Sequence, residues 1–259
     1  MKIRSKKEFS NGSVYCIELN DGLLIETTDT FLPSYTLYSD DNSNSLKSDD
    51  YGSRKDRWMI GVSVMSGCPV RCKFCATGQM KKWRNLTSDE IVEQVKFVVK
   101  QNPDFNPNDS FEFKINYTRM GEGFLNIENL KSAISEITSI YPDTHHYVST
   151  IGIKNSDFSW ITENITLQIS LHSLVDDSRN DLIPYRNKMT MEELGQIRTN
   201  SKLKTTVNLT LVKESDFDIE LLKKYFDKDY FFIKLSPINP NGFSDKNNIS
   251  VGVIKENNI

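Results

Sequence analysis

Three of the chain's four cysteines lie together on one short stretch. They form Cys68-Pro-Val-Arg-Cys72-Lys-Phe-Cys75, a CxxxCxxC spacing that follows an apolar run from Trp58 to Met65. Three thiolates on one short loop can converge on a single inorganic centre, because the loop can wrap while each sulfur points inward. The spacing therefore predicts a metal site.

The number of cysteines indicates which kind of centre to expect. A structural zinc site normally has a fourth Cys or His ligand, and the three histidines (His145, His146, His172) lack zinc-finger spacing to the cysteines. A 4Fe-4S cluster held by three thiolates leaves one iron open, whereas electron-carrying clusters usually have four cysteines. This spacing is the signature of radical S-adenosylmethionine (SAM) enzymes, in which SAM binds the open iron and is cleaved to a 5'-deoxyadenosyl radical. A zinc knuckle or three unrelated buried thiols are the alternatives.

Composition restricts the class of protein. The chain has 259 residues, 37% of them hydrophobic and 26% charged, enough for one substantial core. No long apolar stretch and no secretory signal occur, so we expect a cytoplasmic protein with no membrane partner. Four cysteines in such a chain favour metal binding or catalysis over disulfides. The net charge of -3 provides no global basic field, so any contact with nucleic acid must be local.

The elements before the cysteines are predicted to form a small β-hairpin extension and a polar loop. Residues 1–38 have strand patterns, and strands over 13–19 and 23–28 flank Asn20-Asp21-Gly22, a hairpin turn signal. Cys16 lies inside the first of these strands and is expected to be a small core residue. Residues 39–57 carry almost nothing that can be buried, so we expect a solvated, mobile loop.

From Trp58 onward, strand and helix patterns alternate. Strand-like runs occur at 58–66, 111–117, 146–150, 167–172, 205–212 and 231–236. Helices are predicted after the capping box Thr87-Ser-Asp-Glu90, on the face formed by Leu130, Ile134 and Ile137, and over 190–197 and 217–226, with only short helical material around 155–161.

Repeated βα units imply a parallel sheet. We therefore predict an α/β fold, a partial (β/α)6 radical SAM barrel over 58–240, with the N-terminal extension and loop over 1–57 and a C-terminal tail over 241–259. Its chemistry is expected at the carboxyl ends of the strands.

Small and polar residues recur at those predicted strand ends. After the second strand, the glycines of Gly121-Glu122-Gly123 let backbone approach a ligand, and the carboxylate can accept from an ammonium group. Further strand ends carry Ser149, the run Ser170-Leu171-His172, and Asn239. Each alone is equally a turn or sheet residue, but their recurrence on successive strands indicates a ligand site.

Four motifs together resemble the RlmN/Cfr family of radical SAM RNA methyltransferases, which methylate adenine at carbon 2 or carbon 8. The motifs are the cysteine stretch continued as Cys75-Ala-Thr-Gly-Gln, Met120-Gly-Glu-Gly-Phe-Leu-Asn126, Ile169-Ser-Leu-His-Ser173 with Arg179-Asn-Asp-Leu-Ile-Pro184, and Leu235-Ser-Pro-Ile-Asn-Pro240.

The resemblance implies a 4Fe-4S cluster on Cys68, Cys72 and Cys75. It implies SAM contacts from Gly121, Glu122, Ser149, Ser170, Leu171, His172 and Asn239. Glu26 matches the carboxylate proposed as the family's proton acceptor, with an exposed strand residue as the alternative interpretation. The implied partners are SAM, an RNA or nucleotide substrate, and a reductase or flavodoxin-type electron donor.

The departures from the family pattern concern two further cysteines. One of them, upstream of the first cluster cysteine, corresponds to Gly61, and the other, near the family's C-terminus, has no counterpart because no cysteine follows Cys75. The family's N-terminal RNA-binding helical domain also has no counterpart, and Gly121-Glu-Gly123 replaces Gly-Glu-Pro. We expect SAM binding and radical formation to survive these losses, but not methyl transfer by the two-cysteine route.

Three functions remain open at this point. The first is a minimal RlmN-like enzyme acting on a nucleic acid or nucleotide, favoured by the overall match and by the basic-aromatic run Lys81-Lys-Trp-Arg84. The second is a radical SAM enzyme redirected to a small molecule or peptide, favoured by the missing cysteines. The third is a non-enzymatic relative that only retains the cluster.

Overall fold

The structure is a computed structural model that describes residues 1–34 and 51–249. The chain divides into two compact units. The first comprises Met1–Ser66, Asn85–Met120 and Asn126–Tyr147, and the second comprises Gly67–Arg84, Gly121–Leu125 and Val148–Ile259. Of the predicted polar loop, residues 39–50 lie outside the described residues, as do residues 250–259 of the predicted tail.

The first unit begins with antiparallel strands. The strands β1 (Lys2–Phe9), β2 (Gly12–Glu18), β3 (Leu24–Leu32) and β4 (Arg57–Gly61) pair in that order. The predicted hairpin of β2 and β3 is confirmed, and Gly22 in its turn has φ 81°, a conformation that glycine adopts without steric cost. Two short strands, β5 (Met65–Ser66) and β6 (Arg84–Asn85), follow.

Parallel pairing starts at β4. Its neighbour β7 (Glu112–Tyr117) runs parallel to it, with Ile60 opposite Ile115. The helices α1 (Ser88–Gln101) and α2 (Ile127–Ile140) complete the unit. The capping box is confirmed, because the Thr87 hydroxyl accepts from the Glu90 amide at 3.2 Å and the Glu90 side chain accepts from the Thr87 amide.

Both helices bury the faces that their periodicity predicts. The buried side chains are Ile91, Val92, Gln94, Val95 and Val98 on α1, and Leu130, Ala133, Ile134 and Ile137 on α2.

The end of the predicted polar loop is packed rather than solvated. The Arg54 guanidinium donates to the Asp29 carboxylate from Nε at 3.2 Å and from Nη2 at 2.6 Å. Arg57 is 6% exposed and donates to the Pro33 carbonyl at 2.6 Å. The expectation of a solvated segment is wrong for these two arginines. The Asp29 carboxylate takes the place of water around Arg54, and the Pro33 carbonyl does so for Arg57.

The second unit is also α/β. The strand β8 (His145–Thr150) gives its last three residues to this unit. The strands β9 (Ile165–Ser170), β10 (Thr205–Leu209) and β11 (Phe231–Leu235) pair in parallel, with Val207 opposite both Ile169 and Ile233. All six predicted strand runs from residue 58 onward therefore contain a strand, and the α/β class is confirmed.

The helices of the second unit are short. They are α3 (Asp176–Leu182), α4 (Met191–Gly195), α5 (Ile219–Tyr225) and α6 (Gly242–Lys246). The short helix predicted around 155–161 is wrong: these residues form turns, in which the Asp157 carboxylate accepts from the Ser159 amide at 2.8 Å. Such local side-chain bonds compete with helix formation. None of the described helices combines the length and the apolar composition that crossing a membrane requires.

Candidate functional site

The cysteine loop lies wholly within the second unit, in the segment Gly67–Arg84. Cys68, Cys72 and Cys75 are free thiols of intermediate exposure. The loop turns sharply at the cysteines: the Cys75 amide donates to the Cys72 carbonyl at 3.1 Å, and Arg71 adopts φ 59°. A non-glycine residue with positive φ is uncommon and accompanies tight turns of this kind. The chain thus turns sharply between Arg71 and Cys75, and the metal site stays a prediction.

Two glycines let the loop fold back on itself. Gly67 has φ 74°, and a Cβ built there would lie 2.5 Å from the Lys82 carbonyl oxygen. A Cβ on Gly78 would lie 3.0 Å from the Arg71 Cα. Larger residues at either position would push apart the two sides of the loop, so the glycines fix the cysteine-bearing backbone.

The thiols are close enough to affect one another electrostatically. Burial raises the pKa of Cys68 to about 12, and Glu122 and Cys75 also raise it. Burial likewise raises the pKa of Cys72 well above its ordinary value, with further contributions from Cys75, Cys68 and Glu122. Across residues 1–34 and 51–249, no three His, Cys, Asp or Glu side chains have the arrangement of a ready-made metal site.

The donor chemistry of this loop nevertheless fits a metal centre. Three thiols and a carboxylate whose negative charges repel one another would be stabilised as anions by a bound cation, which lowers thiol pKa values. Soft thiolates are the ligands of iron-sulfur clusters and of zinc.

Glu122 is positioned by the backbone on both sides. It is 4% exposed and follows Gly121, which has φ 104°. Its Oε1 accepts from the Phe124 amide at 3.2 Å and its Oε2 from the Ile151 amide at 2.9 Å. Burial raises its pKa, while the hydrogen bonds from Thr150, Ile151 and Phe124 lower it. The carboxylate is therefore held rigidly, and its influence on the thiol pKa values indicates that it lies near the cysteines.

Two of the predicted SAM contacts meet directly. The hydroxyls of Ser149 on β8 and Ser170 on β9 lie 3.2 Å apart. Both residues are at the carboxyl ends of their strands, where (β/α) folds place their chemistry. This pair of hydroxyls can both donate to and accept from a ligand.

His172 connects the end of β9 to the cysteine loop. It adopts φ 64°, and its ring meets the Phe74 ring edge to face at 4.7 Å between centroids. Its Nδ1 accepts from the Thr210 amide at 3.3 Å, which assigns the ring proton to Nε2. Burial, followed by the charge of Arg179, lowers its pKa to about 4, so the imidazole is neutral near pH 7. The preceding residue, Leu171, is completely buried.

Asn239 is exposed and lies beside two asparagines that sequence reasoning missed. The Asn241 amide donates to the Phe74 carbonyl at 2.9 Å and to the Asn239 carbonyl at 3.1 Å. The Asn247 amide donates to the Lys73 carbonyl at 2.8 Å. These bonds secure the cysteine loop from α6, and the signal available in the sequence was Asn241-Gly242 after a proline.

Glu26 belongs to the first unit, apart from the other predicted site residues. It lies on β3 opposite Cys16 and forms an ion pair with Arg119. Its side chain is partly exposed, as the alternative interpretation expects, and the catalytic role stays a prediction.

Gly61 also lies in the first unit, at the end of β4. A Cβ built there would lie 2.4 Å from the Thr28 hydroxyl and 2.9 Å from the Arg119 Cδ. The space that a cysteine side chain would need at this position is thus filled by a threonine and an arginine.

Comparisons with known proteins agree with the resemblance. No family model matches the chain. A probable dual-specificity RNA methyltransferase RlmN of Pseudothermotoga lettingae is 32% identical over 191 residues, 69% of this chain and 54% of that protein. The protein of the same name from Dictyoglomus thermophilum is 30% identical over 237 residues, 89% of this chain and 59% of that protein. The chain thus spans little more than half the length of these curated relatives.

Solved structures show the same fold. A radical SAM methyltransferase from Sphaerobacter thermophilus matches with a TM-score of 0.69 at 22% identity, over 92% of this chain and 67% of that one. A structure of TYW1 with a lysine-pyruvate adduct bound matches with a TM-score of 0.53 at 17% identity, over 85% of this chain and 76% of that one. The curated relatives and the four motifs together lead to one assignment. The chain belongs to the RlmN/Cfr-like family of radical SAM proteins.

Proposed function

We propose that this chain is a radical SAM enzyme that acts on RNA. The observation that carries the proposal is the CxxxCxxC loop within a single compact unit, in which burial, together with the charge of the neighbouring Glu122, raises the pKa values of Cys68 and Cys72. The sequence similarity to RlmN proteins supports the same class of reaction and substrate. Because the chain spans only part of those relatives, activity and substrate are inferred for it.

The proposed enzyme core is a partial (β/α)6 barrel over 58–240, with 1–57 as an N-terminal extension and 241–259 as a tail. The likeness to the radical SAM methyltransferase over most of the chain supports this organisation. We place the enzyme in the cytoplasm, with a reductase or flavodoxin-type protein as electron donor.

Cys68, Cys72 and Cys75 are the proposed ligands of a 4Fe-4S cluster, which supplies the electron that cleaves SAM. The chain's own residues then have binding roles. Glu122 would accept a hydrogen bond from the ammonium group of SAM, with backbone contact at Gly121. Contacts from Ser149, Ser170, Leu171, His172 and Asn239 would orient the remainder of SAM.

Glu26 is the proposed proton acceptor on the substrate side. Its ion pair with Arg119 would hold the carboxylate in position on β3. A general base must lie within hydrogen-bond reach of the proton that it takes, so this positioning is the contribution that Arg119 would make.

A redirected reaction is the second candidate. The observation that favours it is the occupation of the Gly61 site by the side chains of Thr28 and Arg119, which a second thiol would have to displace. A radical SAM enzyme without that thiol could abstract hydrogen from a small molecule or peptide instead.

The proposal is tested by anaerobic reconstitution with iron and sulfide, followed by reduction in the presence of SAM. We expect about four irons per chain and formation of 5'-deoxyadenosine. Replacing any one of Cys68, Cys72 and Cys75 by alanine should abolish stable iron loading. The matched control is Cys16→Ala, which should load normally. Zinc bound at one per chain without iron uptake would contradict the proposal.

A further inference from the structure

The segment that carries the cysteines is strongly cationic. Gly67–Arg84 contains no Asp or Glu, although the chain as a whole has a net charge of -3. Its basic residues are Arg71, Lys73, Lys81, Lys82 and Arg84. A local positive field of this kind attracts a polyanion even when the global charge does not.

Three of these cations are exposed and form no ion pair within the described part of the chain. Lys73 forms an ion pair with Asp181. Arg71, Lys81 and Lys82 are exposed, and among residues 51–249 no carboxylate forms an ion pair with them. They remain available to neutralise phosphates.

Trp83 presents an aromatic ring among these charges. Its side chain is 52% exposed. Its backbone is nevertheless anchored, because a Cβ built on Gly67 would lie only 2.8 Å from the Trp83 Cβ and 2.5 Å from the Lys82 carbonyl oxygen. Gly67 directly precedes Cys68, so the indole is held at the start of the cysteine loop.

We propose that Trp83, Lys81, Lys82 and Arg71 form a stacking platform that binds an unpaired base of RNA and its flanking phosphates. Every base has a π face that an indole can cover, and adjacent lysines and arginines contact the backbone. A duplex hides its base faces, so the platform selects single-stranded or loop RNA.

The Trp83 indole is a single exposed ring, which fits a stacked base better than it fits a membrane surface. Insertion into a lipid interface requires an apolar face of several side chains. Trp83 is the one large apolar residue of Gly67–Arg84 that is exposed, and it is flanked by charges. The identity of the partner rests on the proposed function, but binding at the platform requires neither iron nor SAM.

The test uses the full chain and a fluorescein-labelled single-stranded RNA of about 12 nucleotides, a length within the range covered by single-strand binding folds. Affinity is measured by fluorescence anisotropy at several salt concentrations, with the same RNA as a duplex for comparison. Trp83→Ala should weaken single-strand binding about 5- to 150-fold, while Trp83→Phe should retain most of the affinity.

The lysines are tested through salt dependence. Lys81→Ala and Lys82→Ala should each reduce the slope of log affinity against log salt by about 0.7, the value for one phosphate contact on a single strand. The matched controls are Trp160→Phe and Lys224→Ala, which alter the same residue types elsewhere in the second unit and should bind like wild type.

Two outcomes would overturn the platform. One is unchanged single-strand affinity in Trp83→Ala. The other is binding of polyglutamate or phosphatidylserine vesicles as tightly as RNA at the same salt. If RNA binding depends on Trp83 but no 5'-deoxyadenosine forms after reconstitution, the platform stands and the proposed function fails.

Discussion

Buried polar groups have different surroundings in the two units. In the first unit, the Asp29 carboxylate is 1% exposed and accepts two hydrogen bonds from Arg54 and one from the Trp58 indole at 2.8 Å. In the second unit, burial raises the pKa values of Cys68 and Glu122, and the Glu122 charge raises that of Cys68 further. The Asp29 charge is balanced by Arg54, whereas a cation bound by the thiols of the cysteine loop would lower their raised pKa values.

The same contrast applies to the residues that distinguish this chain from its family. The second unit retains the cysteines, Gly121 and Glu122 of the resemblance. The first unit has Gly61 where the family has a thiol, and its surroundings are closed by Thr28 and Arg119. The residues of the proposed ligand site thus belong to one unit, and the position where the family has a thiol belongs to the other.

The largest expected effect is complete absence of methyl transfer. Because the family route uses two thiolates as covalent participants, a chain with Gly61 in place of one of them should form no carbon-methylated adenosine even while it cleaves SAM. The measurement is incubation with unmodified ribosomal and transfer RNA, methyl-labelled SAM and reductant, followed by nucleoside mass spectrometry. Gly61→Cys should not restore the product, since its Cβ would clash with the Thr28 hydroxyl and overpacking costs about 1 to 3 kcal/mol.

Detection of a carbon-methylated adenosine would show that methyl transfer does not require a thiol at the Gly61 position. Attention would then turn to Cys16, which lies opposite Glu26 in the β2–β3 register and is the remaining cysteine of the chain.

A smaller effect is expected at Glu122. Glu122→Gln removes the charge but keeps an oxygen for the backbone amides, so the loop should fold while SAM binding weakens. A charge-assisted hydrogen bond is worth about 1.5 to 3 kcal/mol, equivalent to about a 10- to 150-fold loss of affinity. Equilibrium binding of radiolabelled SAM to the reconstituted protein measures it. Glu192→Gln, an exposed carboxylate of the same unit, is the control, and equal SAM affinity in both variants would remove Glu122 from the site.

The sequence predicted the elements better than the contacts between them. β-branched and aromatic residues marked the six predicted strand runs from residue 58 onward, and Thr87 with Glu90 marked the start of α1, because these signals are local. Helix α3 was missed since Asp176–Leu182 is mostly polar and has no apolar periodicity. The packing of Arg54 on Asp29 depends on residues distant in sequence, which no local pattern encodes.

In the candidate site, too, local motifs were predictable from the sequence and contacts between distant residues were not. The cysteine spacing and Gly121-Glu122 were readable from local motifs. The bonds from Asn241 and Asn247 to the cysteine loop, and the closing of the Gly61 site by Arg119, join segments far apart in the chain and required coordinates.

His146 is a second buried polar group of the first unit, and its hydrogen bonds can be compared with those of Asp29. This imidazole is completely buried, and its Nδ1 lies 3.0 Å from the Tyr117 hydroxyl and its Nε2 2.9 Å from the Thr138 hydroxyl. The Thr138 hydroxyl donates to the Ile134 carbonyl at 2.8 Å, so it can only accept from His146. The ring proton therefore lies on Nε2, and Nδ1 accepts from the Tyr117 hydroxyl. The neutral ring fits this network, and a second ring proton on Nδ1 would require the Tyr117 hydroxyl to turn its own proton away.

Burial therefore lowers the pKa of His146 to about 3, with a smaller contribution from His145. A histidine in the unfolded chain titrates near 6.5, so between these values the unfolded state binds more protons and stability falls as the pH falls. The stabilising contribution of neutral His146 is present above pH 6.5 and should decrease by about 2 kcal/mol between pH 7 and pH 5. Urea unfolding of wild type and His146→Gln at both pH values isolates this contribution from that of His172, which both proteins share. An equal loss of stability in the two proteins would mean that His146 is already protonated or hydrated when folded, and the first unit would then contain an unsatisfied buried charge of its own.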